Sequence, residues 1–295
     1  MKILVLGITG MLGNAMLGVL SQSPAHEVWG TTRDKTANDY FNASLAAHII
    51  HGIDILDEAL LLGLFDQVKP DAVLNCIGLV KQLANANEPL QAIPINALLP
   101  HRLAALCATH KARLIHISTD CVFSGKKGNY LETDFPDADD LYGRSKLLGE
   151  VVASPHAITL RTSIIGHELK GQHSLIAWFL AQSKSVKGFA KAIFSGLPTD
   201  ELARVVRDVV LPRPELHGLY HVAAEPINKF DLLSLVAKAY SKDIEIIADD
   251  KFKIDRSLNA KRFHDATGYV PSAWPALIER MHVFNNIQED LRHVC

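Results

Sequence analysis

Three evenly spaced glycines directly after a short apolar run constrain the fold of this chain more than any other feature. The apolar run covers residues 2–6, and the glycines are Gly7, Gly10 and Gly13. This order is typical of a strand, a tight turn and a helix that packs closely on the strand. The spacing differs from GxGxxG, but the same roles apply: Gly7 permits the turn, Gly10 the close approach of a ligand, and Gly13 close helix packing.

The predicted helix after this turn would direct its positive N-terminus toward the turn. Backbone N–H groups and the helix dipole stabilise an anion there, so we expect the pyrophosphate of a dinucleotide at this point. A glycine-rich turn that binds no ligand is the alternative. The residues expected to contact the dinucleotide here are Gly7, Thr9, Gly10, Met11, Leu12 and Gly13.

The first part of the chain alternates short apolar runs with longer amphipathic ones. Strands that are apolar throughout and are separated by helices indicate a parallel sheet with both faces covered. We therefore expect an α/β fold with a doubly wound parallel Rossmann-type sheet. The predicted strands are residues 2–6, 26–32, 48–52, 72–76, 113–118 and 157–162, and the helices between them include residues 56–68 and 98–110.

The pattern changes after about residue 163. Helical patterns at 175–183, 199–211 and 229–240 are accompanied by short predicted strands at 218–222 and 244–247. We expect residues 1–165 to form the dinucleotide-binding Rossmann domain, which also carries the candidate catalytic residues. Residues 166–295 are expected to form a smaller C-terminal α/β substrate lobe that is interleaved with the first domain.

The composition argues against several classes of function. The 295 residues carry a formal net charge of −2, so no strong positive field attracts nucleic acid or an acidic membrane. No run approaches the ~20 apolar residues that span a bilayer. The cysteines are scattered, as free thiols of a reducing compartment are, and no CxxC pair occurs. We expect a soluble cytoplasmic protein without protein ligands to a metal.

The end of the second predicted strand bears on the choice of cofactor. Thr31, Thr32 and Arg33 stand where a carboxylate would bind the ribose 2′-hydroxyl of NAD. Hydroxyls and a guanidinium suit a 2′-phosphate instead, which favours NADPH, with NADH as a possibility. An ordinary surface arginine is the alternative for Arg33.

The ends of the third and fourth predicted strands supply further candidate cofactor contacts. Asp54 and Ile55 would bracket the adenine, although Asp54 would equally serve as the cap of the next helix. Cys76, Ile77 and Gly78 end the fourth strand, at the edge where ligands bind parallel sheets. Their small size would let the cofactor cross close to the backbone.

Candidate catalytic groups follow the fifth predicted strand. Thr119 stands at the strand end, where its hydroxyl can bind a carbonyl oxygen, although a Ser-Thr-Asp run is also typical of a turn. Tyr142 and Lys146 are four residues apart and so share one face of a helix. A cation beside a phenol lowers the phenol pKa, which suits proton exchange with an alcohol or alkoxide. Such pairs also occur on ordinary solvated helices.

Five segments together resemble the extended short-chain dehydrogenase/reductases, and among them the dTDP-4-dehydrorhamnose reductases and related nucleotide-sugar reductases. These segments are GITGMLG, NCIG, HISTDCVFSG, YGRSK and LRTSIIG. The resemblance is specific over about residues 1–166 and looser at residues 194–199 and 255–259.

The resemblance implies a reduction in which a nicotinamide passes a hydride to the C4 keto carbon of a nucleotide-linked 6-deoxyhexose. Tyr142 would donate the proton, Lys146 would lower the Tyr142 pKa and bind the nicotinamide ribose, and Thr119 would be the catalytic hydroxyl. Asp120, Ser118 and Val80 would contact the substrate. Some relatives require Mg²⁺ for dimerisation, so Mg²⁺ is possible, and we expect a monomer or a homodimer.

Two other functions stay open. The chain could be a non-catalytic dinucleotide-binding regulatory subunit, although the complete set of Thr119, Tyr142 and Lys146 argues against lost turnover. It could also be a nucleotide-sugar epimerase or dehydratase, although a dehydratase needs a second carboxylate beside Asp120. Cys121 departs from the resemblance, because these reductases usually have tyrosine there. The exact sugar therefore stays open, and a UDP-linked N-acetylated 6-deoxy-sugar is a further candidate.

Overall fold

A computed structural model describes residues 1–34, 37–79 and 87–293. Its central sheet has seven strands, and every neighbouring pair is parallel. The strands are β1 (Lys2–Leu6), β2 (Glu27–Thr32), β3 (Ile49–His51), β4 (Ala72–Asn75), β5 (Arg113–Thr119), β6 (Ala157–Thr162) and β10 (Gly218–His221).

The spatial order of these strands is β10-β6-β5-β4-β1-β2-β3. The order reverses between β1 and β4, which leaves a crevice at the carboxyl ends of these two strands. The predicted doubly wound Rossmann-type sheet is therefore confirmed. Its six predicted strands all occur, with ends within two residues of the prediction.

Helices cover both faces of the sheet, which explains why its strands are apolar throughout. Alternate residues of β1 face opposite ways: Ile3 and Val5 pack in one core cluster, and Leu4 and Leu6 in the other. The helices are α1 (Met11–Leu20), α2 (Ala43–Ala46), α3 (Glu58–Val68), α4 (Pro89–Ala92), α5 (Leu99–His110), α6 (Leu141–Leu148), α7 (Leu175–Ala181), α8 (Thr199–Val205), α9 (Lys229–Ala239), α10 (Lys261–Thr267) and α11 (Trp274–His293).

The C-terminal part of the chain forms a small mixed sheet and also extends the central one. β8 (Ser185–Phe194) lies between β11 (Ile227–Asn228), which is antiparallel to it, and β12 (Glu245–Asp255), which is parallel. A second pair, β7 (Ile164–Ile165) and β9 (Leu197–Pro198), is parallel. Although β10 lies far along the chain, it pairs with β6 as the seventh strand of the central sheet.

The short predicted strand at 244–247 is wrong in length, because β12 continues to Asp255. Within the predicted helix at 199–211, the regular α-helix ends at Val205, and a π-helical segment, Val206–Val210, follows it. A similar segment, Ile93–Leu98, precedes α5. Across the described ranges, no helix is both long enough and apolar enough to span a membrane.

Candidate functional site

The glycine turn has the geometry that its sequence predicts. Gly7 adopts a positive φ of 83°, which a residue with a side chain rarely adopts. A Cβ at Gly13 would collide with the carbonyl oxygen of Gly7, so only glycine lets α1 pack this closely on the turn. Thr9 and Gly10 are exposed, Met11 is half-buried and Leu12 is buried.

The start of α1 is open to an anion. Gly10 is the N-cap of α1 and supplies no side-chain hydrogen bond to the first helical N–H groups. The first turn contains no acidic residue that would repel a phosphate. These features fit the pyrophosphate of a dinucleotide, which binds backbone N–H groups at a helix N-terminus.

The second strand supports the turn from the side. The Thr31 Oγ1 accepts a hydrogen bond from the Gly7 N–H at 3.4 Å, and the Thr31 carbonyl accepts one from the Ile8 N–H at 3.1 Å. Thr31 and Thr32 are buried, whereas Arg33 is exposed. Arg33 therefore presents an accessible positive charge at this strand end.

Asp54 does not cap the helix that follows it. Its Oδ1 accepts a hydrogen bond from the Leu56 N–H, while Asp57 accepts from the Ala59 and Leu60 N–H groups at the start of α3. The alternative that Asp54 caps this helix is thus wrong, because α3 begins later than the pattern predicts. Asp54 is exposed and the neighbouring Ile55 side chain is buried.

A buried hydrogen-bond network fixes the segment after β4. Asn75 Oδ1 accepts from the Ile77 N–H at 3.1 Å, and Asn75 Nδ2 lies 3.2 Å from His116 Nδ1. Asn96 accepts from the Leu79 N–H at 2.9 Å and donates to the Leu79 carbonyl and to the Ser145 Oγ.

This segment joins the glycine turn to the candidate catalytic helix. A Cβ at Gly7 would lie 2.7 Å from the Ile77 Cγ1, and one at Gly78 would lie 3.9 Å from the Lys146 Nζ. Burial raises the pKa of the half-buried Cys76 thiol to about 12. The charge of the nearby Lys146 acts in the opposite direction. Cys76, Ile77 and Gly78 therefore lie between Gly7 and Lys146.

Tyr142 and Lys146 lie one turn apart on α6, as predicted. Asp140 caps this helix by accepting from the Gly143 N–H at 2.7 Å. Tyr142 is half-buried, and burial is the largest effect that raises its pKa. A hydrogen bond with Thr119 acts in the opposite direction, so the phenol and the Thr119 hydroxyl are neighbours.

Lys146 is buried, and its Nζ donates to the Ile117 carbonyl at 2.8 Å. Burial lowers its pKa to about 8, while Glu150 and Cys76 oppose that change. The ammonium is thus held at the end of β5, beside the segment after β4, rather than in solvent. Together, Thr119, Tyr142 and Lys146 surround the carboxyl end of β5.

Ser118 is directed away from this cluster. Its Oγ donates to Glu150 Oε1 at 2.7 Å, and Glu150 also forms two 2.7 Å contacts with Arg161. All three residues are buried, so Arg161 closes an internal salt bridge. Because its hydroxyl is already used there, Ser118 supports the strand edge from within, and Val80 lies outside the described residues.

Two cationic residues near Asp120 were not predicted. Asp120 is buried, which raises its pKa, and the charges of Arg256 and Lys229 oppose that rise. Both residues come from the C-terminal part of the chain. The only sequence signal was the motif at residues 255–259, which did not indicate where Arg256 would lie. Among the described residues, no group of histidine, cysteine or carboxylate side chains could hold a metal ion.

Comparison with known proteins agrees with this geometry. Residues 1–275 match the family model described as RmlD substrate binding domain. A dTDP-4-dehydrorhamnose reductase from Aggregatibacter actinomycetemcomitans is 24% identical over 307 residues, which cover 96% of this chain and 99% of that protein. Methionine adenosyltransferase 2 subunit beta from Mus musculus is 26% identical over 317 residues, covering 95% of this chain and 89% of the relative.

A solved structure shares the fold over nearly the whole chain. The dTDP-4-dehydrorhamnose reductase from Bacillus anthracis, in complex with NADP, superimposes with a TM-score of 0.79 at 18% identity. The match covers 96% of this chain and 99% of that one. The chain therefore belongs to the RmlD substrate-binding domain family and is an extended short-chain dehydrogenase/reductase, a class of NAD(P)-dependent oxidoreductases.

Proposed function

We propose that this chain reduces the 4-keto group of a nucleotide-linked 6-deoxyhexose with NADPH, in the synthesis of cell-surface polysaccharide precursors. The observation that carries the proposal is one continuous arrangement: the glycine turn meets Ile77, Gly78 lies beside Lys146, and Tyr142 adjoins Thr119. A dinucleotide at the turn would thereby extend toward a proton donor. The near full-length relative named dTDP-4-dehydrorhamnose reductase supports the choice of substrate class.

The cofactor site is assigned to the residues around the carboxyl ends of β1 to β4. Gly7, Gly10 and Gly13 would admit the pyrophosphate, with Thr9, Met11 and Leu12 beside it. Arg33 would bind the 2′-phosphate, Asp54 and Ile55 the adenine, and Cys76, Ile77 and Gly78 would line the path of the nicotinamide half. When bound, the nicotinamide supplies the hydride.

Tyr142 would supply the proton. Its phenol is protonated at neutral pH, the form that a reduction requires, because its ordinary pKa is about 10 and burial raises that pKa further. The keto oxygen becomes an alkoxide-like base as the hydride arrives, and the adjacent phenol can then transfer its proton. Thr119 would hold the same oxygen by a hydrogen bond, and the Lys146 ammonium would stabilise the phenolate that remains.

The test is a panel of dTDP-, UDP- and GDP-linked 4-keto-6-deoxy sugars, followed by the loss of NADPH absorbance. We expect turnover with at least one member of the panel and a clear preference for one nucleotide. The absence of turnover with every member, with either NADPH or NADH, would contradict the proposal.

A second candidate function is that of a non-catalytic regulatory subunit. The match to methionine adenosyltransferase 2 subunit beta over 95% of this chain favours it, because that relative is named as a subunit. This candidate predicts NADPH binding without reduction of any keto-sugar. The same panel therefore separates the two functions when NADPH affinity is measured alongside turnover.

A further inference from the structure

The imidazole of His116 is linked by hydrogen bonds to the segment that joins the glycine turn to Lys146. His116 and Asn75 are register partners on the adjacent strands β5 and β4, and both are fully buried. The Asn75 Nδ2 lies 3.2 Å from the His116 Nδ1, and the Asn75 Oδ1 accepts from the Ile77 N–H at 3.1 Å. One line of hydrogen bonds therefore runs from the imidazole through the amide to the backbone after β4.

The backbone fixes the direction of each hydrogen bond in this line. Because the Ile77 N–H can only donate, it faces the Asn75 Oδ1, which leaves the Asn75 NH2 group toward His116. That group can only donate as well, so the His116 Nδ1 is the acceptor and the ring proton is on Nε2. Burial is the largest effect that lowers the His116 pKa well below its ordinary value. The charges of Lys146 and His101 act in the same direction, so the imidazole is neutral.

The ring of His116 has no second hydrogen bond that would explain its presence. Among the described residues, its Nε2 is buried without a partner. Such a group costs free energy that an apolar side chain would avoid, and Leu114, two residues earlier on the same face of β5, is apolar. The acceptor that the imidazole offers to Asn75 therefore explains this residue better than packing does.

The Asn75 amide determines how the chain leaves β4. An asparagine Oδ1 that accepts from the N–H two residues later closes a tight turn. A Cβ at Gly7 would lie 2.7 Å from the Ile77 Cγ1, and one at Gly78 would lie 3.9 Å from the Lys146 Nζ. A shift of Ile77 would thus move the backbone that lies between the glycine turn and the ammonium.

We propose that His116 is a positioning residue for the nicotinamide half of the cofactor and acts through Asn75 on Ile77. This inference rests on the proposed function for the place of the cofactor. Without the acceptor at His116, the amide is free to rotate and to bring its NH2 group against the Ile77 N–H, donor facing donor. The turn would then open, while Gly10 and Arg33, assigned to the other half of the cofactor, would stay in place.

The test compares two ligands and two substitutions by calorimetric titration. The ligands are NADPH and 2′-phospho-ADP-ribose, which lacks the nicotinamide. The variants are His116→Asn, whose Oδ1 replaces the Nδ1 acceptor, and His116→Leu, which has nearly the same shape but no acceptor. Because both variants leave similar space where the imidazole was, the effect of a cavity is the same in each.

We expect His116→Leu to weaken NADPH binding by about fivefold to a hundredfold, because the buried Asn75 NH2 group loses its partner. His116→Asn should bind NADPH nearly as wild type does. The affinity for 2′-phospho-ADP-ribose should be the same in wild type and both variants, a selectivity that a general loss of stability would not produce.

Equal NADPH affinity of the two variants would overturn the role of His116, as would an equal loss for both ligands in His116→Leu. If His116→Leu does not fold, nitrogen NMR of wild type decides, with the His116 resonances identified by their absence from His116→Asn. A proton on Nε2 supports the proposal, and one on Nδ1 overturns it. NADPH binding in the expected order without reduction of any keto-sugar would contradict the proposed function and support the role of His116.

Discussion

At the scale of single residues, the cofactor choice depends on Arg33. It is exposed at the end of β2, where the two threonines before it are buried, so its positive charge is accessible to a 2′-phosphate. We expect Arg33→Ala to weaken NADPH binding by about tenfold or more, and to leave NADH binding nearly unchanged. Fluorescence titration with both cofactors measures the effect. An equal loss of affinity for NADPH and NADH would show that Arg33 does not bind the 2′-phosphate.

The buried ammonium of Lys146 gives a prediction about pH. Burial lowers its pKa to about 8, below the ordinary value, so the charged fraction falls as pH rises through about 8. Because the ammonium is the form that donates to a ribose hydroxyl, NADPH affinity should decline above that pH. The decline begins near the pKa of the ammonium in the free protein, and because a bound cofactor that interacts with the ammonium raises that pKa, the decline levels off only at a higher pH.

The check is the NADPH dissociation constant of wild type and Lys146→Met between pH 7 and about 10. The variant should bind more weakly at pH 7 and show a flatter profile. Lys2→Met, which alters a half-buried lysine at the far end of β1, should keep the wild-type profile. An unchanged decline in Lys146→Met would assign the pH dependence to another group.

At the scale of elements, the strand–turn–helix unit at the N-terminus depends on glycine where α1 passes over the turn. A methyl group at Gly13 would collide with the Gly7 carbonyl, so Gly13→Ala must displace the helix from the turn. We expect a lower melting temperature and a loss of NADPH affinity, because the backbone N–H groups at the start of α1 would move.

Gly63→Ala is the control for this substitution. It also lies in a helix, α3, but no atom lies within 4 Å of its added methyl group. Alanine should stabilise that helix by about 0.5–1 kcal/mol and leave NADPH affinity unchanged. If Gly13→Ala behaved like Gly63→Ala, the close approach of α1 to the turn would not matter for binding.

The sequence predicts the elements of the central sheet well, for a physical reason. Its strands are buried on both faces, so each is a short apolar run that is distinct from the amphipathic helices around it. β8 and β12 have no such signal, because buried residues of β8 are interrupted by exposed ones, two of them lysines, and β12 has no buried residue and contains lysines and aspartates. The length of β12 depends on its pairing with β8, which no local pattern encodes.

At the scale of the whole molecule, the sequence predicts only those parts of the candidate site whose residues lie in one short segment. The Tyr142–Lys146 spacing and the Thr119 strand end are local, and the structure places them beside each other. Arg256 and Cys121 are separated by 135 residues, so their contact follows from how the C-terminal part packs on the sheet. The inward direction of the Ser118 side chain was likewise not predictable, because its partner Glu150 lies 32 residues further along the chain, after α6.

The central claim is that Tyr142 donates the proton in a reduction by NADPH. It is tested most directly by the rate of NADPH oxidation by wild type and Tyr142→Phe, assayed together on the keto-sugar that the panel identifies. The variant removes only the phenolic hydroxyl, so NADPH affinity should be retained while turnover falls by about 10²–10⁴-fold. Equal turnover by the two proteins would contradict the account.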